Sequence, residues 1–215
     1  MKNILLIGLG RFGRHIAQKL NELDVQFMAV DKVEERAQAV AQWATNVQIG
    51  DAAGKEFLKS LGIGNFDVCI VAIGDDVLNS LEVTALLKEL GASRIVSRTA
   101  RDTQAKLLLR LGADEIIYPE KQMAEWTAVR CASSHMFEYL QLSDDYAVCE
   151  VQPPDSWIGH SLADLCIRRK YGMNIIAVRE NGALRIAVDG DYIIRKEETL
   201  LVLGHAKDIQ NHFRL

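Results

Sequence analysis

A glycine-rich turn near the amino terminus places the strongest constraint on the fold of this 215-residue chain. Residues 8–13 read GLGRFG and follow Ile4–Ile7, a continuous apolar run that is typical of a strand buried on both faces. After the turn, apolar residues recur at spacings of three and four, as on one face of a helix. A GxGxxG sequence between strand and helix predicts a phosphate-binding turn, because its glycines let the backbone approach a phosphate and the helix start supplies N–H groups.

Strands and helices alternate through the first two thirds of the chain. Six strands are predicted, at Ile4–Ile7, Gln26–Val30, Val47–Ile49, Asp67–Ile73, Arg94–Ser97 and Glu115–Tyr118. The helices between them are predicted from Arg11 onward, at Val33–Trp43, at Ala53–Leu61, from Gly74 to about Leu90, and at Asp102–Leu111. Short crossovers of this kind force parallel pairing, so the predicted fold is α/β, a doubly wound parallel sheet with helices on both faces.

The remaining third predicts a long helix and a second, smaller domain. Pro119 is suited to start a helix, and Trp126, Val129, Phe137 and Leu140 would share one side of it. This apolar stripe predicts either a contact with a second domain or partner subunit, or packing back on the same sheet. Short strands are then predicted at Tyr146–Val151, Asn174–Val178, Leu184–Val188 and Thr199–Leu203, with helices at Ser161–Lys170 and Ala206–Phe213. The predicted domains are residues 1–118 (nucleotide-binding), 119–141 (crossover and dimerisation helix) and 142–215 (a small α+β domain).

Asp31 is the predicted partner of the glycine turn. It ends the second strand, 18 residues after Gly13, where a carboxylate accepts hydrogen bonds from the ribose hydroxyls of an adenosine. A 2′-phosphate would be repelled there. The alternatives are that the glycines form only a tight turn and that Asp31 is a solvated loop carboxylate. Both would have to be true at once, at the spacing that a nucleotide site requires.

Several further side chains are candidates for the same site. Arg11 adds a charge beside the phosphate turn that suits a terminal γ-phosphate better than a dinucleotide bridge, which favours ATP and ADP. Asp51 and Gly74 follow the third and fourth strands, at the edge where open parallel sheets bind ligands. Arg98 closes the fifth strand and either reaches a phosphate or forms a surface salt bridge.

Charge and motif content exclude several classes of protein. The 25 basic and 29 acidic residues give a net charge of −4, which offers no general attraction for nucleic acid. No apolar stretch approaches the roughly 20 residues that span a bilayer, so we expect a cytoplasmic protein. None of the five histidines pairs with a carboxylate at a catalytic spacing, and no hydrolase, zinc or Walker motif is present. A nucleotide site without catalytic machinery indicates a sensor rather than an enzyme.

The motifs together resemble a family of potassium transport regulators. The segments GLGRFG, VDK, GDA, VAIGDD and YPEKQMAE, and in the last third KYGMNIIAV and KEETLLVLG, are similar to those of the RCK (regulator of potassium conductance) subunits of the Ktr and Trk uptake systems. The resemblance covers essentially the whole chain. It implies a Rossmann-like TrkA-N domain, a crossover helix that clasps a partner subunit, and a TrkA-C domain.

The resemblance also implies ligands and site residues. ATP and ADP, and sometimes NAD or NADH, would compete for the amino-terminal pocket, and the family's glutamate in PEK would help to bind Mg²⁺ or another divalent cation between the two ATP sites of a dimer. That glutamate is Glu120. Without the resemblance, Glu120 is interpreted as a first-turn carboxylate that stabilises the N-terminus of its helix. The predicted cofactor-binding residues are Gly8, Gly10, Arg11, Phe12, Gly13, Asp31, Lys32, Asp51, Ala52, Ala72, Ile73, Gly74 and Arg98, with Glu120 as the predicted metal ligand.

The implied partners are a membrane subunit and further copies of the chain. Relatives form dimers that assemble into a homo-octameric ring under a potassium-translocating membrane protein of the KtrB or TrkH type. Some also bind cyclic di-AMP in the carboxy-terminal domain. Asn174, Ile175 and Ile176 match that strand, but residues 187–189 lack the expected proline, which makes cyclic di-AMP a doubtful ligand.

Two alternatives share the same pocket. A small NAD-dependent oxidoreductase would turn over NADH with a carbonyl substrate, for which we find no acid or base. An NADH-sensing transcriptional regulator would need a basic recognition helix, and none of the predicted helices is one.

Overall fold

A computed structural model describes residues 2–132, 136–143, 145–186 and 188–213 of the chain. The chain divides into two compact units, residues 1–120 and residues 121–215. Within the described ranges, no helix is both long enough and apolar enough to cross a membrane.

The first unit is a parallel sheet of six strands. The strands are β1 (Ile4–Ile7), β2 (Phe27–Asp31), β3 (Asn46–Ile49), β4 (Val68–Val71), β5 (Ile95–Arg98) and β6 (Glu115–Ile117). They lie in the order β3-β2-β1-β4-β5-β6, and every neighbouring pair is parallel. The predicted α/β fold is confirmed, and the strand ends agree with the prediction to within two residues.

Helices connect these strands. They are α1 (Arg11–Glu22), α2 (Glu34–Val40), α3 (Lys55–Ser60), α4 (Val77–Glu89) and α5 (Asp102–Arg110). The central strand β1 is buried along its whole length, with Leu5 and Ile7 in one apolar cluster and Ile4 and Leu6 in another. Apolar cores thus lie on both faces of the sheet, which is why this strand has no polar alternation in the sequence.

The order of the strands reverses beside β1, since β2 lies on one side of it and β4 on the other. Ile7 pairs with Val30 on β2 and with Val71 on β4, so these three strands end at the same level. In open parallel sheets, ligands bind in the crevice outside the carboxyl ends of the strands at such a switch point. The fold therefore brings residues 8–13, 31–32 and 72–74 to one edge.

The second unit contains an antiparallel sheet. Its strands are β7 (Met136–Gln141), β8 (Tyr146–Val151), β9 (Asn174–Glu180), β10 (Ala183–Arg185) and β11 (Thr199–His205), in the order β10-β9-β11-β8-β7. The helices are α6 (Pro119–Ala132), which begins at the end of the first unit, α7 (Leu162–Leu165), α8 (Ile167–Tyr171) and α9 (Ala206–Phe213). Asn181 and Gly182 both have positive φ, as a two-residue hairpin turn between the antiparallel strands β9 and β10 requires.

The long helix predicted through Leu140 is wrong beyond Ala132. Helix α6 ends there, and Phe137 and Leu140 belong to β7, which pairs with β8. Their helical spacing from Trp126 and Val129 is misleading, because β7 is stabilised by pairing with another segment rather than by local preference. Residues 133–135, between α6 and β7, lie outside the described residues.

Two smaller predictions also need correction. The helix predicted over Ser161–Lys170 is split into α7 and α8 at Cys166, whose φ of 47° is left-handed. No glycine marks this break, so the sequence gives no local signal for it. The strand predicted over Leu184–Val188 is the shorter β10, Val188 lies outside any strand, and residue 187 is not among those described.

A buried carboxylate ties three strands of the second unit together. Glu150 on β8 is 5% exposed and accepts two hydrogen bonds from Arg179 on β9, at 2.8 and 3.1 Å, and one from Thr199 on β11. Burial alone would raise the pKa of Glu150, but these hydrogen bonds and the Arg179 charge outweigh it and lower that pKa. The ionised form therefore stabilises the fold.

We expect Glu150→Gln to lower the free energy of unfolding by about 1–3 kcal/mol at neutral pH. Because the folded pKa is depressed, this stabilisation is present above the unfolded pKa and is lost as the pH falls through the folded value. Urea unfolding measured at pH 7 and near pH 3 should show that the difference in free energy of unfolding between wild type and Glu150→Gln becomes smaller in acid. Glu180→Gln is the control, because Glu180 is an exposed partner of Arg195, and it should lower the free energy of unfolding by under about 1 kcal/mol. An equal loss of free energy in the two variants would contradict the role assigned to Glu150.

Candidate nucleotide-binding site

A cavity of about 690 Å³ lies at the carboxyl edge of the parallel sheet. This volume is within the range of pockets that hold small molecules and cofactors. Of the fourteen predicted site residues, all except Gly13 line it: Gly8, Gly10, Arg11, Phe12, Asp31, Lys32, Asp51, Ala52, Ala72, Ile73, Gly74, Arg98 and Glu120. The fold thus brings residues from six separate segments of the sequence to one place.

The two outer glycines of the turn determine how closely α1 approaches the sheet. Gly8 has a φ of +93°, a conformation that other residues rarely adopt. At Gly13, a Cβ atom would stand 1.9 Å from the carbonyl oxygen of Gly8. Gly13 therefore lies behind the cavity wall and allows the helix to pack against the turn, which explains why it does not face the cavity itself.

The start of α1 differs from the starts of the other helices in this region. Helices α2, α3, α5 and α6 each carry an acidic residue in the first turn, and the carboxylate of Asp76 caps α4. Helix α1 follows Gly10, begins with Arg11, and has no acidic residue in its first turn. Within the described residues, the N–H groups of residues 11–13 have no hydrogen-bond partner. Uncapped N–H groups with uncompensated positive charge favour an anion.

Asp31 is held rigidly at the end of β2. Its side chain accepts a hydrogen bond from the Leu9 N–H at 2.7 Å and one from the Val33 N–H at 2.8 Å. The residue is only 6% exposed. An ionised carboxylate has about four acceptor positions, so two remain for hydroxyl groups of a ligand.

Arg98 and Glu120 form an ion pair within the cavity lining. The Nη2 of Arg98 donates a hydrogen bond to Oε1 of Glu120, and the guanidinium carbon lies 5.4 Å from the centre of the Phe12 ring. Burial alone would raise the pKa of Glu120, but a hydrogen bond from the backbone N–H at its helix start and the nearby Arg98 and Arg11 lower it. Glu120 is therefore ionised at neutral pH.

A divalent cation at Glu120 does not fit the described residues of one chain. Among them, no three His, Cys, Asp or Glu side chains are grouped as metal ligands. The Glu120 carboxylate is engaged by a guanidinium. A cation would need further oxygen ligands, from phosphate groups or a second chain, so the metal assignment stays a prediction.

Sequence reasoning missed eight residues of the cavity lining. Five are polar, namely His15, Arg36, Asp75, Asp76 and Asn79, and the others are Ile7, Val30 and Gly50. His15 lies one helical turn after Arg11, the first residue of α1, so helical spacing was the available signal for it. Asn79 lies two residues after the start of α4. Asp76 also caps the start of α4, because its Oδ1 accepts the Asn79 N–H at 3.1 Å.

Comparison with known proteins shows the family. Residues 4–119 match the TrkA-N domain and residues 148–215 match the TrkA-C domain. The chain is 38% identical to Ktr system potassium uptake protein C and 37% identical to Ktr system potassium uptake protein A, both of Bacillus subtilis. Each match covers 97% of this chain and 94% of the relative. The chain therefore belongs to the TrkA-N/TrkA-C family of Ktr potassium uptake proteins, and the predicted resemblance is confirmed.

Solved structures support the same fold. The GsuK RCK domain matches with a TM-score of 0.68 at 17% identity over 100% of this chain and 47% of that one. The GsuK channel bound to NAD matches with 0.68 over 96% of this chain and 38% of that one, also at 17% identity. GsuK bound to ADP matches with 0.53 at 16% identity over 60% of this chain and 34% of that one. This chain thus spans less than half of each GsuK chain.

The glycines of the turn provide a matched pair of substitutions. A Cβ at Gly10 meets no atom within 4 Å, whereas one at Gly13 overlaps the Gly8 carbonyl. We expect Gly10→Ala to keep the melting temperature of the unliganded protein while narrowing the space for phosphate, and Gly13→Ala to lower that temperature strongly or prevent folding. Thermal unfolding by circular dichroism checks both, and equal behaviour of the two variants would contradict the assigned roles.

Proposed function

We propose that this protein is the cytoplasmic regulatory subunit of a potassium uptake system and that adenine nucleotides control it. The cavity carries the proposal: it combines the uncapped start of α1, the buried carboxylate of Asp31 and the guanidinium groups of Arg11 and Arg98. These groups suit the phosphates and ribose of ATP or ADP. Likeness to the Ktr potassium uptake proteins over nearly the whole chain supports the role in transport.

In this proposal the first turn of α1 binds phosphate, Arg11 reaches a terminal phosphate, and Asp31 accepts hydrogen bonds from the ribose. Asp51, two residues after the end of β3, flanks the adenosine. NAD and NADH contain the same adenosine group and compete for the same cavity. GsuK, which shares the fold, has structures bound to NAD and to ADP, and this supports the proposal. The ligand leaves chemically unchanged.

Regulation follows from a difference in affinity between two conformations. A ligand shifts an equilibrium only by its preference for one state, and a tenfold preference supplies about 1.4 kcal/mol per site. Moving a two-state equilibrium from about 1:99 to 99:1 takes roughly 5.5 kcal/mol, so several coupled sites are needed. A homodimer assembling into an octameric ring beneath a KtrB- or TrkH-like membrane subunit would supply them.

The experiment that tests this function compares thermal stabilisation by ATP, ADP, NAD and NADH. A ligand that binds the folded state raises the melting temperature by mass action. We expect ATP and ADP to stabilise the protein, and no substrate to be consumed when NADH is incubated with carbonyl compounds. Stabilisation by NADH alone, or turnover of NADH, would favour the oxidoreductase instead.

Asp31→Ala should abolish stabilisation by ATP while the protein still folds. The unliganded melting temperature will fall as well, because the Leu9 and Val33 N–H groups lose their acceptor at a cost of about 1–3 kcal/mol. The measured quantity is therefore the ligand-induced rise in each variant. Asp67→Ala is the control, since Asp67 accepts the Asn3 N–H at 2.7 Å outside the cavity. Retained ATP stabilisation in Asp31→Ala would contradict the ribose assignment.

A further inference from the structure

Arg98 occupies a confined position within the cavity lining. Its side chain is 17% exposed, and it lies over the Phe12 ring. Its Nη1 is so close to Gly74 that a Cβ at that position would stand 2.1 Å from it. This position of the guanidinium therefore requires a glycine at residue 74, three residues after the end of β4, and it places a positive charge at the sheet edge where ligands bind.

The hydrogen-bonding capacity of Arg98 is largely unused. A guanidinium carries five N–H donors. In the described residues, Nη2 bonds to Glu120, and Nε is buried with no hydrogen-bond partner. A buried donor without a partner is rare in folded proteins and destabilises the structure that contains it. Because Arg98 lines the cavity, a bound phosphate can supply hydrogen-bond acceptors to this guanidinium that the described residues do not supply.

Glu120 holds this guanidinium in the absence of a ligand. It is the second residue of α6, its side chain is 56% exposed, and it lines the same cavity. A carboxylate and a phosphate group compete for a guanidinium because both accept paired hydrogen bonds from it. Two anions close to one another also repel, and a partly enclosed cavity weakens solvent screening.

Building on the nucleotide function proposed above, we propose that Glu120 is an internal competitor of the ligand phosphate for Arg98. Nucleotide phosphates take the guanidinium from Glu120, so this carboxylate sets the affinity below the value that the cavity would otherwise reach. This loss of affinity applies to every ligand that carries a phosphate group, and it does not apply to adenosine.

Isothermal titration with ATP tests the competition, with EDTA present so that no divalent cation takes part. We expect Glu120→Gln to tighten ATP binding about tenfold and Arg98→Gln to weaken it about tenfold. The double variant should match Arg98→Gln, because Glu120 has no effect once its partner is removed. Adenosine, the phosphate-free probe, should bind all four proteins within about twofold.

A second ion pair provides the control. Arg94 precedes β5 and Glu115 begins β6, so this pair, at 2.5 Å, lies at the opposite ends of these two strands from Arg98 and Glu120, and neither residue lines the cavity. Glu115→Gln should leave ATP affinity unchanged. Should Glu120→Gln fail to fold, Glu120→Ala carries the same expectation.

Unchanged or weaker ATP binding in the Glu120 variant would overturn the competition, as would an equal gain for adenosine. If the wild-type protein binds adenosine or ATP but Glu120→Gln has no effect, this inference fails while the proposed function stands. Wild-type protein that binds no adenine nucleotide would refute both.

Discussion

The close approach of α1 to the end of β1 is the constraint on which the site depends. It requires the positive φ of Gly8 and the absence of a side chain at Gly13, where a Cβ would fall 1.9 Å from a carbonyl oxygen. With the helix seated there, its uncompensated N–H groups face the edge at which β1, β2 and β4 end together. Asp31 reinforces this arrangement, because its carboxylate binds the Leu9 N–H inside the turn.

The local arrangement of charge in the cavity is not visible in the overall charge of the chain. A net charge of −4 describes the whole surface, whereas the cavity lining brings four cations, Arg11, Lys32, Arg36 and Arg98, beside five carboxylates, Asp31, Asp51, Asp75, Asp76 and Glu120. An anionic ligand responds to the nearest charges and helix ends far more than to distant ones, which solvent and salt screen. Recognition therefore depends on which of these groups are already paired, as Arg98 and Glu120 are.

The first unit was largely predictable because its signals are local. The buried strand, the glycine turn and Asp31 follow one another within 31 residues, and parallel strands bring their carboxyl ends together without further information. Features that depend on distant partners were not predictable. Strand β7 forms by pairing with β8, the break at Cys166 has no glycine to mark it, and the bond between Arg98 and Glu120 joins residues 22 positions apart.

Pro119 fixes the backbone conformation at which α6 begins, and so the direction in which each later side chain of the helix points. The ring sets φ at the first helical residue, and each later residue is turned by about 100° around the axis relative to the one before it. One residue inserted between Pro119 and Glu120 would swing the carboxylate by more than a quarter of a revolution, away from Arg98. A length change at this junction would therefore break the ion pair between Glu120 and Arg98, because the direction of the Glu120 side chain depends on its angular position in the helix as well as on distance.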